Sequence, residues 1–279
     1  MAFLGPAGTY AEEALRASAP EAVEEVPYTT VREAVLAVQS GEAERAVVPL
    51  ENSIEGSVTA TLDVLTGEGA DVRMVAEVVL PIRHCLLARP GVALADVEEV
   101  LSHPQALAQC AMFLRERMPE ARRVAWASTA QAVRAVAESA RPCAAIGSRL
   151  AAELYGCHVL AGEVADRSDN LTRFAWLAPA GTRPLGAPTK TSVVFWGFSD
   201  RSPGSLVRVL DEFAQRAINL VRIESRPRRA SLGHYMFFVD LEGADTEPRV
   251  SEALTALSAR VEVLEVLGSY PVLEAAQPA

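Results

Sequence analysis

Lysine is almost missing from this chain: Lys190 is the single lysine among 26 basic side chains, and the rest are arginine. A Schiff-base mechanism, with or without pyridoxal phosphate, would have to use that one amine. No GxxxxGK[ST] loop surrounds it, which excludes a P-loop. Cysteine is sparse as well. Cys85, Cys110, Cys143 and Cys157 stand far apart with no CxxC pair, so zinc knuckles and redox dithiols drop out and four buried, reduced thiols are expected. His84, His103, His158 and His234 are equally scattered, with no HExxH, so neither a metal nor a cofactor is expected. Positive charge is in deficit, with 36 acidic against 26 basic side chains and a formal net charge of −10. With no Lys/Arg block to offset it, neither nucleic acid nor an anionic membrane surface is an expected partner. No apolar run reaches the roughly 18 residues that span a bilayer, and the first residues lack a signal peptide's basic and apolar regions. A soluble cytoplasmic protein is expected.

What is present is an α/β pattern over 279 residues, half of them hydrophobic. In the first half, strands are expected at 2–4 and 46–49, with helices at 11–17, 30–39 and 57–65. A second unit follows with strands at 78–87, 97–101 and 144–146 and helices at 103–117, 130–140 and 149–154. The chain then returns through 159–166 into a β-like stretch at 171–177. Extended passages near 76–80 and 161–165 read as a hinge pair joining two lobes, with a small-ligand cleft between them. Residues 178–188 are rich in Pro and Gly and read as a linker. Beyond it, strands at 191–198, 220–225, 235–241 and 261–267 and helices at 205–217 and 249–259 give the order βαββαβ, a ferredoxin-like module.

Four expected helices open with one device, a small polar residue followed three later by Glu or Gln: Thr9/Glu12, Thr30/Glu33, Ser102/Gln105 and Ser128/Gln131. Helix capping accounts for each box singly, and anion binding by free N–H groups becomes specific only if several helix starts converge. Ser102 and Gln109 are two turns apart on the helix expected at 103–117, within reach of one ligand or simply a cap and a solvated amide. Asn52 and Ser53 end a strand, where α/β folds place ligand groups and where Asx turns also occur. In Asn170-Leu171-Thr172-Arg173-Phe174 strand alternation puts Asn170, Thr172 and Phe174 on one face and Arg173 on the other.

Five ordered motifs carry a resemblance over nearly the whole chain: Phe3-Leu4-Gly5-Pro6-Ala7-Gly8-Thr9-Tyr10, Val48 to Ser57, Ser102-His103-Pro104-Gln105, Thr172-Arg173-Phe174, and a C-terminal pair, Pro203-Gly204-Ser205-Leu206 with Ile223-Glu224-Ser225-Arg226-Pro227. Together they resemble the prephenate dehydratases that carry a C-terminal ACT regulatory domain. The resemblance implies a two-lobed, periplasmic-binding-protein-like catalytic domain at 1–181, with lobe one at about 1–76 and 161–181 and lobe two at about 77–160, and an ACT domain at 188–279. It implies loss of carbon dioxide and water from prephenate to give phenylpyruvate, without a cofactor, in a homodimer or homotetramer joined through ACT domains. Arogenate dehydration and a non-catalytic amino-acid sensor are the alternatives. Thr172, Asn52, Ser102 and Gln109 carry over as catalytic, and Arg173, Phe174, Ser53, Thr9, Ser128 and Thr129 as substrate-binding. Glu51 is a candidate proton source. Gly204, Ser205, Leu206, Asn219, Leu220, Glu224 and Ser225 carry over as the L-phenylalanine site, although Ser205 departs from the Gly-Ala-Leu common in the family. A first strand at residue 2 leaves no room for an N-terminal chorismate mutase domain.

Overall fold

In a computed structural model, residues 1–19, 23–198, 202–228 and 234–275 are described. The chain begins with β1 (Ala2–Leu4), α1 (Tyr10–Ser18), β2 (Val26–Tyr28), α2 (Val31–Gln39), β3 (Ala46–Asn52), β4 (Gly56–Ser57), α3 (Thr59–Leu65) and the long β5 (Val72–Pro81). It crosses into a second lobe made of β6 (Cys85–Ala88), β7 (Glu99–Ser102), α4 (Pro104–Gln109), α5 (Ala111–Arg117), β8 (Arg122–Ala125), α6 (Thr129–Glu138), β9 (Cys143–Gly147), α7 (Arg149–Tyr155) and β10 (His158–Ala161). It returns on β11 (Leu171–Pro179). The C-terminal module is β12 (Lys190–Trp196), α8 (Ser205–Ala214), β13 (Leu220–Pro227), β14 (Tyr235–Glu242), α9 (Pro248–Ser258) and β15 (Val263–Tyr270), and the two-residue β16 (Val272–Leu273) follows.

Three sheets organise these elements. Lobe one is a seven-stranded sheet, β16-β5-β11-β3-β1-β2 with β4 on β3, in which β11 runs antiparallel to both β3 and β5. Lobe two is ordered β10-β6-β9-β7-β8 and the C-terminal sheet β13-β14-β12-β15. Local chemistry explains the elements. Thr30 makes a complete capping box with Glu33, and Val31, Ala34, Val35 and Val38 recur at helical spacing to form the buried face of α2. Every residue of β9 is buried because helices cover both faces of its sheet, so it reads as a continuous apolar run rather than an alternation.

The C-terminal sheet has helices on one face and lobe one on the other. Val193, Phe195 and Val239 pack with α8 and α9, whereas Val194, Phe238, Leu267 and Tyr270 share a core with Val31, Leu62 and Met74 of lobe one. Burying a large apolar side chain contributes about 1.5–3 kcal/mol, so four such residues hold the module firmly to lobe one. At Gly268 the backbones come so close that a Cβ would run into the Met74 carbonyl oxygen, which explains glycine there.

Several expectations shift. The strand expected at 78–87 is two strands broken at 82–84, and the crossings between lobes fall at 82–84 and 162–170, a few residues beyond 76/77 and 160/161. The helix expected at 103–117 breaks at Cys110, whose φ of −116° and ψ of 19° leave the helical region. Ser57 begins no helix; it pairs with Glu51 in β4. Short β2 and β8 have little apolar patterning to betray them. The C-terminal range 188–279 is not one unit either, because Val272 and Leu273 pair in parallel with Glu77 and Val78 of lobe one. Its stretches 199–201, 229–233 and 276–279 lie outside the described residues. Among the described residues no helix is long and apolar enough to cross a membrane.

Candidate active site

Between the lobes lies a cavity of about 660 Å³. Three helix starts converge on it: α1 behind Thr9, α4 behind His103 and α6 behind Ser128. Ser128 Oγ accepts from Gln131 N at 3.1 Å, and Thr9 Oγ1 accepts from Glu12 N at 3.5 Å while donating to Leu4 O at 2.8 Å. The box expected at Ser102 does not form. Pro104 occupies the first helical turn, which moves the cap to His103, whose Nδ1 accepts from Gln105 N at 3.3 Å. Thr30 makes its box, but Thr30 itself does not line the cavity.

The floor of the cleft is the hydrogen-bonded junction of β3 and β11, which places Thr172 opposite Asn52. Asn52 Oδ1 accepts from the backbone N–H groups of Ile54 and Glu55, each at 3.0 Å, which fixes the orientation of its amide. Its Nδ2 therefore donates, to Asn170 Oδ1 at 2.8 Å, Thr172 Oγ1 at 2.9 Å and Leu171 O at 3.2 Å. Because Thr172 Oγ1 accepts that bond, its own proton is left to donate. Asn170, Thr172 and Phe174 all line the cavity, as strand alternation requires, and all are buried.

Arg173 faces the other way. Its guanidinium sits on the opposite side of β11, 3.1 Å from Glu77, 2.6 Å from Asp240 of the C-terminal sheet and 3.2 Å from Glu51. Alternation along the strand keeps it out of the cleft, contrary to the substrate contact the resemblance implies. Glu51 is spent in the same ion-pair cluster, with Arg222 3.6 Å away, and does not line the cavity. No lysine or arginine is among the described lining residues, so an anion would be held by helix N-termini, amides and hydroxyls.

Other expected residues divide. Thr129 and Gln109 line the cleft with Thr9, Ser128 and Asn52. Ser102 does not: it ends β7 fully buried, with its hydroxyl donating to Ile146 O at 2.7 Å. Ser53 accepts from Leu171 N at 3.0 Å and donates to Asp169 O at 3.3 Å, a tie between returning strands outside the cavity lining. Three residues were not foreseen as site groups: Tyr10, His84 and Asn170. They converge from 74 to 160 residues apart, so no local spacing announces them; strand alternation at 170–174 was the one available signal for Asn170. Burial holds His84 below the ordinary histidine range and pushes the Tyr10 phenol and the Cys110 thiol up, the thiol to about 12. The cysteines are all free, Cys157 only half-buried against expectation.

In the C-terminal module Gly204 caps α8 at φ 77°, a left-handed turn that suits glycine. Ser205 is buried with its hydroxyl on Ser202 O at 2.8 Å, while Leu206 and Leu220 are half-buried and Asn219 and Ser225 exposed. Glu224 turns inward instead. Its carboxylate accepts from Arg222 and from Ser57, a cleft-lining residue of lobe one.

A sequence model of the family described as prephenate dehydratase matches residues 1–182, and one described as ACT domain matches 191–259. The prephenate dehydratase of Mycolicibacterium vanbaalenii is 41% identical, over 100% of this chain and 94% of its own length. A crystal structure of prephenate dehydratase in complex with L-Phe from Arthrobacter aurescens superposes with a TM-score of 0.87 at 40% identity, over 100% of this chain and 91% of that one. A structure described as GqqA, a novel type of quorum quenching acylase, matches with a TM-score of 0.86 at 34% identity, over 97% of both chains.

Proposed function

This chain belongs to the prephenate dehydratase family, and on that premise we propose that its interlobe cleft decarboxylates and dehydrates prephenate to phenylpyruvate under control by L-phenylalanine. The carrying observation is the Asn52–Thr172 bond, 2.9 Å long, which makes the Thr172 hydroxyl a donor on the cleft floor. Prephenate's carboxylates suit the three converging helix starts, where N–H groups and helix dipoles favour negative charge without a cation. As the ring's carbon–carboxylate bond breaks, its electron pair enters the ring and the ring C–O bond breaks with its pair on oxygen. Negative charge grows on the departing hydroxyl, which leaves as water once protonated. A threonine hydroxyl is too weak an acid to be an ordinary general acid near neutral pH. Thr172 instead donates a hydrogen bond to the leaving oxygen, a stabilisation that strengthens as charge develops. Gln109, Ser128 and Thr129 orient the substrate, and Phe174 packs beside the ring.

An acylase reaction of the kind named for one structural neighbour needs an activated nucleophile. Among the described residues no base accepts the Thr172 proton, and its oxygen is occupied by Asn52. For the effector, we infer that the turn at Gly204 and the strand through Glu224 form the L-phenylalanine site. β13 is an edge strand with Val221 and Ile223 exposed, which supports self-association of the chain through this module.

The test is conversion of prephenate to phenylpyruvate by the full chain, with arogenate run in parallel, and the same assay on Thr172→Val. Losing a donor aimed at developing charge lowers kcat by about 10²–10³. Wild-type turnover by the valine variant refutes the hydroxyl's role; preference for arogenate reassigns the substrate; binding without turnover of either leaves a sensor. L-Phenylalanine is expected to shift the apparent affinity for prephenate by about 5–150-fold.

A further inference from the structure

His84 lies where the two crossings between lobes meet. It ends the segment 82–84 that joins β5 to β6, its carbonyl accepts from Val164 N of the returning crossing at 2.9 Å, and its side chain is 3% exposed. Each ring nitrogen touches a different lobe. Nδ1 is 2.9 Å from the Tyr10 hydroxyl at the start of α1, and Nε2 is 3.0 Å from Gln109 Oε1 at the end of α4.

The direction of every bond in this chain follows from one backbone turn. Asn52 must point Nδ2 at Asn170 because its Oδ1 accepts two backbone N–H groups. Asn170 must then point its own Nδ2 at Gln109 Oε1, 3.0 Å away. Gln109 Oε1 is thereby an acceptor, so the His84 nitrogen facing it carries the proton and the ring is the Nε2–H tautomer. Its Nδ1 accepts from Tyr10, whose one proton is shared with Arg83 O at 3.0 Å. Two donors therefore converge on the oxygen of Gln109 and fix its carboxamide. The other end, Nε2, is buried with no partner, in a side chain that lines the cleft. A buried donor without an acceptor is rare in a native protein and marks a place where a ligand atom completes the pairing.

We propose that His84 is a positioning residue for the dehydratase reaction: its Nε2–H, together with the Asn170 amide, holds Gln109 so that the glutamine's free N–H groups meet an oxygen of the substrate, and it does so from the junction that joins the lobes. This rests on the reading of the cleft as the prephenate site. No charged side chain takes part in the chain of bonds from Tyr10 to Thr172, so the ring acts in its neutral form.

The first experiment uses the wild-type full chain, whose histidine ring ¹⁵N shifts report tautomers. The Nε2–H form at His84, with a slowly exchanging ring proton, is expected; an Nδ1–H form overturns the proposal. The second is kinetic. His84→Asn places its amide near the Nδ1 position and loses the donor to Gln109, whereas His84→Gln keeps a donor near Nε2. Since misplacing a positioning group by about 1 Å can cost as much as 10²-fold, His84→Asn is expected to lower kcat/KM by about tenfold or more, and His84→Gln by about threefold or less. In a Gln109→Ala background, His84→Asn should change kcat/KM by less than about twofold, because its only route to the substrate is gone. An equal loss in both backgrounds, or no loss in either, overturns the proposal. Should the asparagine variant not fold, the glutamine variant and the tautomer decide. Should the wild type leave prephenate unchanged, it is the function that fails, and the tautomer alone judges the role of His84.

Discussion

Replacing Arg173 by Gln separates two accounts of the Thr-Arg-Phe motif. If the arginine reached into the cleft, its loss would raise KM and leave the fold intact. The structure places it instead between two buried carboxylates, Glu77 at 2% and Asp240 at 3% side-chain exposure, with its own side chain 11% exposed. Removing one partner of a buried ion pair strands the others and typically costs about 3–5 kcal/mol. Relief is partial. Lys190 still meets Glu77, and Ser192 Oγ still donates to Asp240 at 2.6 Å, but Arg222 is 3.8 Å from Asp240 and already engaged with Glu224. The expected loss is therefore near the lower end, about 3 kcal/mol, read as a shift of the urea midpoint at unchanged m-value. Measured well below its unfolding transition, the variant should keep KM for prephenate within about threefold while its response to L-phenylalanine weakens, because the link between β11 and β14 is cut. A loss under 1 kcal/mol together with a tenfold rise in KM would refute this placement of the side chain.

Ser102→Ala should cost stability rather than chemistry: its hydroxyl ties β7 to Ile146 O in the core of lobe two, so a loss of about 1 kcal/mol with kcat within a fewfold of wild type is expected by denaturant titration and steady-state assay. Glu13 is raised to about 7, first by burial and then by Glu153. A carboxyl with a raised pKa binds more protons folded than unfolded, so its effect on stability worsens as pH climbs from about 4.5 to 7 and is level above that. Glu13→Gln should accordingly stabilise the protein at pH 8, by about 1–2 kcal/mol after allowance for partial solvent screening, and hardly at all at pH 4.5, as followed by thermal melts across that range.

Much of this site could be read from the chain before its structure, and the failures have physical causes. Alternation at 170–174 separated Thr172 from Arg173 correctly, since a strand held on both sides by β3 and β5 has no freedom to slip. Helical spacing misled at Ser102, though not at Gln109, because Pro104 set the helix start one residue later and left Ser102 in the preceding strand. His84 looked like one of four unrelated histidines. Its meaning depends on Tyr10 and Gln109, which only the crossing of the lobes brings to its two nitrogens. The tail escaped notice for a simpler reason: two residues of strand carry no pattern.

That tail bears on how control of this protein can be lost. The C-terminal module supplies part of lobe one's hydrophobic core through Val194, Phe238, Leu267 and Tyr270, and the chain then hands lobe one an edge strand at Val272 and Leu273. Cutting the chain after the linker would expose Val31, Leu62 and Met74 to water and strip β5 of a neighbour, so the catalytic lobes alone are expected to be unstable. Lobe two is joined to lobe one by the crossings at 82–84 and 162–170 and by hydrogen bonds across the cleft, among them Ser148 Oγ to Gly8 O at 3.0 Å and the Tyr155 hydroxyl to Ala7 O at 2.7 Å. A selection for variants that escape L-phenylalanine is therefore expected to return missense changes, at the turn around Gly204 or along the seam between β11, β13 and β14, and no truncations.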